Sequence, residues 1–185
     1  MQSNDFELIL GSNSPRRKQL LGLGGIPFRV DVADIDESIL PGETPKEYVR
    51  RLALLKAQTV AQRSKPGTAV IGSDTTVALE DEILAKPMDE GDATRMLRSL
   101  RGKTHKVYTG VAVVAAGTGK FDVDVVETDV PMRDYSDQEI RDYIATGDPM
   151  DKAGAYGIQN QAFSPVINMS QCYASVMGFP VCAVH

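Results

Sequence analysis

The sequence predicts a mixed α/β fold in which long antiparallel hairpins, rather than a purely parallel sheet, form the core. Segments with the two-residue period of strands alternate with segments of helical period along the chain. Two long β-rich segments, residues 105–116 and 120–132, flank Gly117-Thr118-Gly119, which is typical of a hairpin turn. Helices between the shorter strands then add layers to the sheet, as in α/β proteins.

The first strand and the first helix are predicted close to the N-terminus. Leu8–Leu10 is a short apolar strand, and Ser14 is a suitable helix N-cap. Pro15 suits the first helical position because its missing N–H costs nothing there, and Gly24 supplies the end of the helix. Residues 28–32 then alternate as a second strand does.

Three later helices are predicted from their N-cap sequences. Two of them begin with a capping box, in which a Ser or Thr cap is followed three residues later by Glu. The starts are Thr44 with Glu47, Ser136 with Glu139, and Asp89, whose helix is expected to end at Gly102.

The remaining strands are predicted from apolar runs. Residues 69–79 are β-branched and mostly apolar, which indicates a buried strand, and Glu80–Asp81 turns the chain back into a short partner. In the second strand of the long hairpin the apolar positions shift by one residue after Val125, which predicts a β-bulge. Residues 153–159 and 165–181 are interpreted as strand, loop and strand.

Composition argues against two broad classes of function. The 185-residue chain is 42% hydrophobic and 24% charged, as globular proteins are, and its net charge is −5. An acidic chain lacks the basic face that nucleic-acid polymers and membrane surfaces require. No signal peptide or membrane-length apolar run is seen, so a cytoplasmic protein is expected. Cys172 and Cys182 have no metal-site spacing and are expected to be reduced thiols.

Two arginines stand where a helix would favour acidic residues. Arg16 and Arg17 lie on the first turn of the first helix, beside the positive end of its dipole. With free N–H groups and the hydroxyls of Ser12 and Ser14 they form a strong trap for an anion such as phosphate. The alternative is a capped surface helix with two solvated arginines.

Two charged residues fall within apolar segments. Asp74 lies in the middle of the predicted buried strand, where a carboxylate is costly unless it is paired or binds a metal. Alternatively it is a strand-end Asp that bonds a neighbouring turn. Lys56 interrupts the apolar face of Val49, Ala53 and Val60 on the second predicted helix. It either belongs to a site or lies along the apolar surface with its ammonium group in water.

The acidic loop and the scarcity of histidine bear on a metal site. Glu37 is one of three acids in residues 34–38, which could bind a divalent cation or be solvated. Lys86 follows the short strand and alone predicts nothing. His105 and His185 are the two histidines of the chain, so a His-based triad is not expected. An oxygen-rich set favours Mg²⁺ or Mn²⁺ over zinc.

The common nucleotide-binding motifs are absent. Residues 115–120 contain Gly-x-Gly-Lys without the Walker spacing, and they lie in the predicted hairpin turn. Residues 22–27 are the end of a helix and not a dinucleotide fingerprint. Phosphate chemistry in this chain would therefore need another scaffold.

Six segments in chain order resemble the Maf family of nucleoside triphosphate pyrophosphatases: SNSPRRKQLL, DES, RLALLKA, GSDTTV, AKP and DKAGAYGIQ. The resemblance runs from about Leu8 to Val181. It implies one domain over residues 1–185, with a two-lobed mixed α/β sheet, long antiparallel hairpins, flanking helices and a central cleft, similar to inosine triphosphate pyrophosphatases. It also implies hydrolysis of a nucleoside triphosphate to monophosphate and pyrophosphate by water attack at the α-phosphorus, with Mg²⁺ or Mn²⁺ as cofactor.

The resemblance also implies roles for individual residues. Asp74 is the implied general base for the attacking water, and Glu37 and Asp74 are the implied metal ligands. The implied catalytic residues are Asp74, Glu37, Lys56 and Lys86. The implied substrate-binding residues are Ser12, Ser14, Arg16, Arg17, Thr75 and Gln159.

Within the family, the chain is similar to the dTTP/UTP pyrophosphatases at Arg16, Thr75 and Gln159. An amide such as Gln159 can accept from the N3–H of uracil or thymine, which cytosine lacks. Asn160 stands where the family usually has glycine, and Asn is the residue best able to replace a glycine of positive φ. Alternatives are hydrolysis of 7-methyl-GTP and a nucleotide-binding regulator of cell division with little turnover. Expected partners are the triphosphate and, as one option, a second copy in a homodimer, with no nucleic-acid polymer or membrane.

Overall fold

The computed structural model describes residues 7–181 and contains a six-stranded mixed sheet. The strands are β1 (Leu8–Leu10), β2 (Arg29–Val30), β3 (Ala69–Leu79), β4 (Glu82–Leu84), β5 (Thr104–Ala115) and β6 (Phe121–Pro131). Their spatial order is β2-β1-β3-β5-β6, and β4 pairs with β3. β1 is parallel to β2 and β3, whereas the other neighbours are antiparallel. The predicted mixed α/β fold with long antiparallel hairpins is confirmed.

The predicted helix starts are also confirmed. The helices are α1 (Pro15–Gly22), α2 (Pro45–Ala61), α3 (Glu90–Leu100), α4 (Asp137–Ala145) and α5 (Tyr173–Val176). Both capping boxes are complete, with each cap side chain and each Glu bonded to the other's backbone N–H. α1 ends two residues before Gly24, because Leu23 and Gly24 already donate to carbonyls three residues back, which tightens the last turn.

Two strand predictions are wrong in extent or detail. β2 covers two residues and not 28–32, because it pairs with β1, which has only three. The bulge after Val125 is absent, since β5 and β6 pair without interruption. Val123 faces α2, whereas Val130 faces the layer of α3 and α4 on the other side of the sheet. The shift of the apolar pattern therefore marks a change in which face of β6 is buried.

The C-terminal prediction of strand, loop and strand is wrong. Asp148–Asp151 and Ala153–Ala155 form 3₁₀ turns, and the next segment is irregular until α5. Within the described residues, this segment makes one ladder contact, an isolated bridge between Met132 and Val166. Phe179, in the predicted last strand, packs its side chain into the core without joining the sheet. Apolar residues of this segment pack into the core, so the segment has the composition of a strand without pairing as one.

Helix α2 lies directly on the sheet because two strands carry glycine beneath it. A Cβ added to Gly72 on β3 would lie 2.2 Å from the carbonyl oxygen of Ala53, and one added to Gly110 on β5 would lie 2.5 Å from that of Val49. Larger residues at either position would push the helix outwards. This close approach brings Lys56, one turn further along α2, down to the level of the sheet.

Two further findings concern a cysteine and the helices within residues 7–181. Cys172 is disulfide-bonded, so the expectation of a reduced thiol is wrong for it; the approach of two cysteines in the fold, not their spacing, decides pairing. Cys182 and His185 lie outside the described residues. None of the described helices is both long enough and apolar enough to cross a bilayer.

Candidate active site

The site lies at a gap in the edge of strand β3. β5 pairs with one edge of β3 over residues 69–78. On the other edge, the ladder with β1 ends at Ile71 and the ladder with β4 begins at Val77. The segment between them faces a cleft of about 790 Å³. Because side chains alternate along a strand, Asp74 points towards α2 and Thr75 points to the opposite side, yet both line this cleft.

Lys56, Asp74 and Glu37 form an ionic cluster in the cleft. Lys56 Nζ lies 2.6 Å from Asp74 Oδ1 and 2.8 Å from Glu37 Oε1. Lys56 and Asp74 are buried, while half of the Glu37 side chain is exposed. The alternative in which Lys56 places its ammonium group in water is therefore wrong, because that group is buried and paired with two carboxylates.

The two carboxyl groups have opposite pKa shifts. Burial raises the pKa of Asp74, although the charges of Lys56 and Arg17 oppose the rise. For Glu37, desolvation also raises the pKa, but the hydrogen bond and charge of Lys56, with Lys86 and Arg17, outweigh it and leave the pKa lowered. Burial thus favours the protonated form of Asp74, whereas the neighbouring cations favour the charged form of Glu37.

Side chains of α2 hold the Glu37 loop over the cleft. The hydroxyl of Tyr48 donates to the Glu37 carbonyl oxygen at 2.9 Å, and Arg51 Nη2 donates to the Ser38 carbonyl oxygen at 2.9 Å. Burial, with the charges of Asp74 and Glu37, raises the pKa of Tyr48 to about 12, so the hydroxyl remains a donor. An irregular loop is thereby anchored to the same helix that carries Lys56.

Arg17 connects the loop after β1 with the C-terminal segment. Its Nε donates to the Gly178 carbonyl oxygen at 2.9 Å, its Nη1 to Ser12 Oγ at 3.2 Å and its Nη2 to Thr75 Oγ1 at 3.4 Å. Burial lowers the pKa of Arg17, while the Asp74 charge raises it. A second donor reaches the same carbonyl, because Ser73 Oγ lies 2.9 Å from it. The guanidinium is thus held in place beside the cleft.

The hydroxyl of Thr75 is used within the protein. Thr109 Oγ1 donates to the Ser175 carbonyl oxygen at 2.8 Å and lies 2.9 Å from Thr75 Oγ1. A hydroxyl has one proton, so Thr75 is the donor to Thr109 and can only accept from Arg17. Thr75 therefore supports Arg17 directly, which sequence reasoning did not anticipate.

The cleft contains nine of the ten residues that the resemblance singled out. Ser12 is buried behind the cleft, where it accepts from Arg17 and from the Ser14 backbone N–H. The residues that line the cleft are Ser14, Arg16, Arg17, Glu37, Lys56, Asp74, Thr75, Lys86 and Gln159. Sequence reasoning missed Tyr48 and the group Asp148, Asp151, Lys152 and Tyr156, which also line it. The signal for the group was its position just before and within the DKAGAYGIQ segment.

Two carboxylates of the cleft are the candidate ligands for a divalent cation. Within residues 7–181, no group of three or more His, Cys, Asp or Glu side chains is arranged to hold a metal. Glu37 and Asp74 lie close to each other in the cleft, since both contact Lys56 Nζ. Mg²⁺ is commonly held by one or two carboxylates plus substrate phosphates. The carboxylates present therefore suit Mg²⁺ or Mn²⁺ only together with a phosphate ligand.

The fold is similar to that of a solved structure. The Ham1 protein of Staphylococcus aureus superimposes with a TM-score of 0.53 at 14% sequence identity, covering 89% of this chain and 81% of that one. This likeness shows a shared α/β architecture.

Sequence comparison identifies the family. The family model described as "Maf-like protein" matches residues 7–185, and the chain belongs to this family. A relative named dTTP/UTP pyrophosphatase from Geotalea uraniireducens is 48% identical over all of this chain and 94% of its own length. A relative of the same name from Dictyoglomus thermophilum is 46% identical over 95% of this chain and 91% of its own.

Proposed function

We propose that this protein hydrolyses nucleoside triphosphates, chiefly dTTP and UTP, to the monophosphate and pyrophosphate. The observation that carries the proposal is the position of Asp74 at the gap in the sheet edge, buried and bonded to Lys56 within a cleft that also holds Arg17 and Glu37. A carboxylate of raised proton affinity beside fixed cations suits water attack on a phosphate anhydride.

Asp74 acts as the general base in this proposal. Its carboxylate takes a proton from the water that attacks the α-phosphorus, and Lys56 orients the carboxylate from 2.6 Å. The bond from the α-phosphorus to the bridging oxygen then breaks, and the pyrophosphate leaves with the electron pair.

The cations of the cleft would hold the triphosphate. Arg16, Arg17 and Lys86 line the space in front of Asp74, and charge accumulates on the departing pyrophosphate. A divalent cation held by Glu37 and Asp74 would neutralise phosphate charge and favour deprotonation of water. We assign Ser14 and the adjacent N–H groups of α1 to phosphate oxygens.

Gln159 is proposed to read the base. It is exposed and lines the cleft, and its amide can pair with the N3–H and a carbonyl of uracil or thymine. The relatives named dTTP/UTP pyrophosphatase support this choice over 7-methyl-GTP. The buried Asp74 favours an enzyme over a binding regulator of cell division, because a protein that only binds nucleotide needs no buried base.

The test uses a panel of triphosphates with Mg²⁺ or Mn²⁺ in ¹⁸O-labelled water. We expect pyrophosphate and a labelled monophosphate, with dTTP and UTP well ahead of CTP and 7-methyl-GTP. Release of orthophosphate and diphosphate would mean an ordinary phosphatase, and a profile led by a purine would refute the base assignment.

A further inference from the structure

We infer that Asp148 is a positioning residue that holds Gln159 in the cleft and thereby sets base preference. The inference rests on the proposed function and deepens it. Gln159 lies within a β-turn closed by a hydrogen bond from the Asn160 backbone N–H to the Gly157 carbonyl oxygen at 3.0 Å. Both ends of this turn are connected to the carboxylate of Asp148.

The first connection runs through Tyr143 of α4. Its hydroxyl donates to Asp148 Oδ2 at 2.7 Å and accepts from the Gly157 backbone N–H at 3.0 Å. Tyr143 is buried and its ring stacks on Phe163 with centroids 4.3 Å apart, so the hydroxyl is fixed by packing. The start of the turn is therefore bonded to a side chain of α4 that packing holds in place.

The second connection is the side chain of Asn160. Its Nδ2 donates to Asp148 Oδ2 at 3.1 Å, and its Oδ1 accepts from the Phe163 backbone N–H at 2.8 Å. Asn160 is not among the described residues of positive φ, so it does not act as a replacement for a left-handed glycine. Its amide instead closes the other end of the turn onto the same carboxylate oxygen.

Lys152 completes the arrangement. Its ammonium group donates to Asp148 Oδ1 at 3.0 Å, to the Asp148 carbonyl oxygen at 2.5 Å and to Asp151 Oδ1 at 2.7 Å. These acceptors use all three of its protons, so the lysine acts within the cluster. Its methylene chain lies against Gly157, where a Cβ would be 2.9 Å from Lys152 Cε. The carboxylate of Asp148 thus accepts hydrogen bonds from Tyr143, Lys152 and Asn160, next to Gly157.

The experiment measures kcat and KM for dTTP and CTP in variants of each connection. Tyr143→Phe removes the hydroxyl that bonds the start of the turn. Asn160→Ala removes the amide that bonds its end to Asp148. We expect either change to lower the ratio of kcat/KM for dTTP over CTP about two- to tenfold, mainly through a higher KM for dTTP. Tyr135→Phe is the matched control, since it removes a buried phenol hydroxyl in the same apolar cluster whose partner is the Leu97 carbonyl oxygen.

A double-variant cycle with Gln159→Ala separates positioning from a general structural effect. If Asp148 acts through Gln159, Tyr143→Phe and Asn160→Ala leave the dTTP/CTP ratio unchanged in the Gln159→Ala background. An unchanged ratio in folded single variants, or an equal loss with and without Gln159, would overturn the inference. Should Tyr143→Phe fail to fold, Asn160→Ala tests the same carboxylate from the other end. A wild-type protein that releases no pyrophosphate from any triphosphate would refute the proposed function instead.

Discussion

Lys56 Nζ lies 2.6 Å from Asp74 Oδ1, and the two residues come from α2 and β3, 18 positions apart in the chain. The pair is buried, so neutralising one member removes a charged partner from the other in the interior. The proposed function depends mainly on this pair of opposite charges.

Asp74→Asn should abolish most turnover while the protein stays folded. The amide keeps the size of the side chain but cannot take a proton, and loss of a positioned base costs about two to four orders of magnitude in kcat. Steady-state kinetics and a thermal unfolding curve measure the two properties. Asp124→Asn, at an exposed position of β6, is the control. Near wild-type turnover of Asp74→Asn would place the base elsewhere, with Glu37 as the next candidate.

Gln159→Glu should weaken base preference more than phosphate binding. A carboxylate cannot donate to a base carbonyl, and an unpaired polar group costs roughly 1–3 kcal/mol, so the preference for dTTP over CTP should fall about five- to a hundredfold. Inhibition by pyrophosphate monitors phosphate binding and should change less. Gln161→Glu adds the same charge at a nearby exposed position. Equal effects of the two variants would attribute the change to charge alone.

Thr75→Val should raise KM for all triphosphates together. The change preserves shape but removes the oxygen that accepts from Arg17 and the proton given to Thr109. We expect a rise of about two- to tenfold, because one hydrogen bond that fixes the guanidinium is lost. Thr75→Ser keeps the hydroxyl and should restore KM. If only the dTTP/CTP ratio changed, Thr75 would contact the base and not act through Arg17.

Gly72→Ala should destabilise the fold and lower turnover together. The new methyl group would meet the Ala53 carbonyl oxygen at 2.2 Å, so α2 must move and carry Lys56 with it. Overpacking of this kind costs about 1–3 kcal/mol in the free energy of unfolding. Gly22→Ala, at the end of α1 with no neighbour within 4 Å of the added group, is the control and should be neutral. Chemical denaturation of both variants measures the difference.

His105→Gln should flatten the pH dependence of stability. Burial lowers the pKa of His105 from 6.5 to about 4, and its Nε2 bonds the Tyr156 hydroxyl at 2.8 Å. Between these pH values the unfolded chain binds a proton that the native protein does not. The free energy of unfolding therefore falls as pH decreases through this range, by on the order of 2–3 kcal/mol. Glutamine can still bond Tyr156 but does not titrate. Parallel urea titrations that give the same slope for both proteins would exclude His105 as the cause.

Local interactions made most secondary structure predictable. Thr44 and Ser136 bond groups within three residues of themselves, so the starts of α2 and α4 follow from neighbouring side chains alone. Strand β3, residues 69–79, is likewise predictable from its own residues, because a long segment rich in β-branched residues favours a strand. The sequence also predicts that Asp74 inside that segment has a partner, since a buried carboxylate requires one wherever it occurs.

Contacts between residues far apart in the chain decided how Arg17 is placed in the site. Arg17 meets Gly178 across 161 positions and Thr75 across 58, and no local pattern encodes such a pairing. The turn around Gln159 is bonded to Tyr143, which in turn bonds Asp148, so a composition that predicts a strand forms a turn here. Hydrogen bonds within a few residues form at little cost in chain entropy, whereas contacts over a hundred residues exist only after the sheet has closed the loops between them.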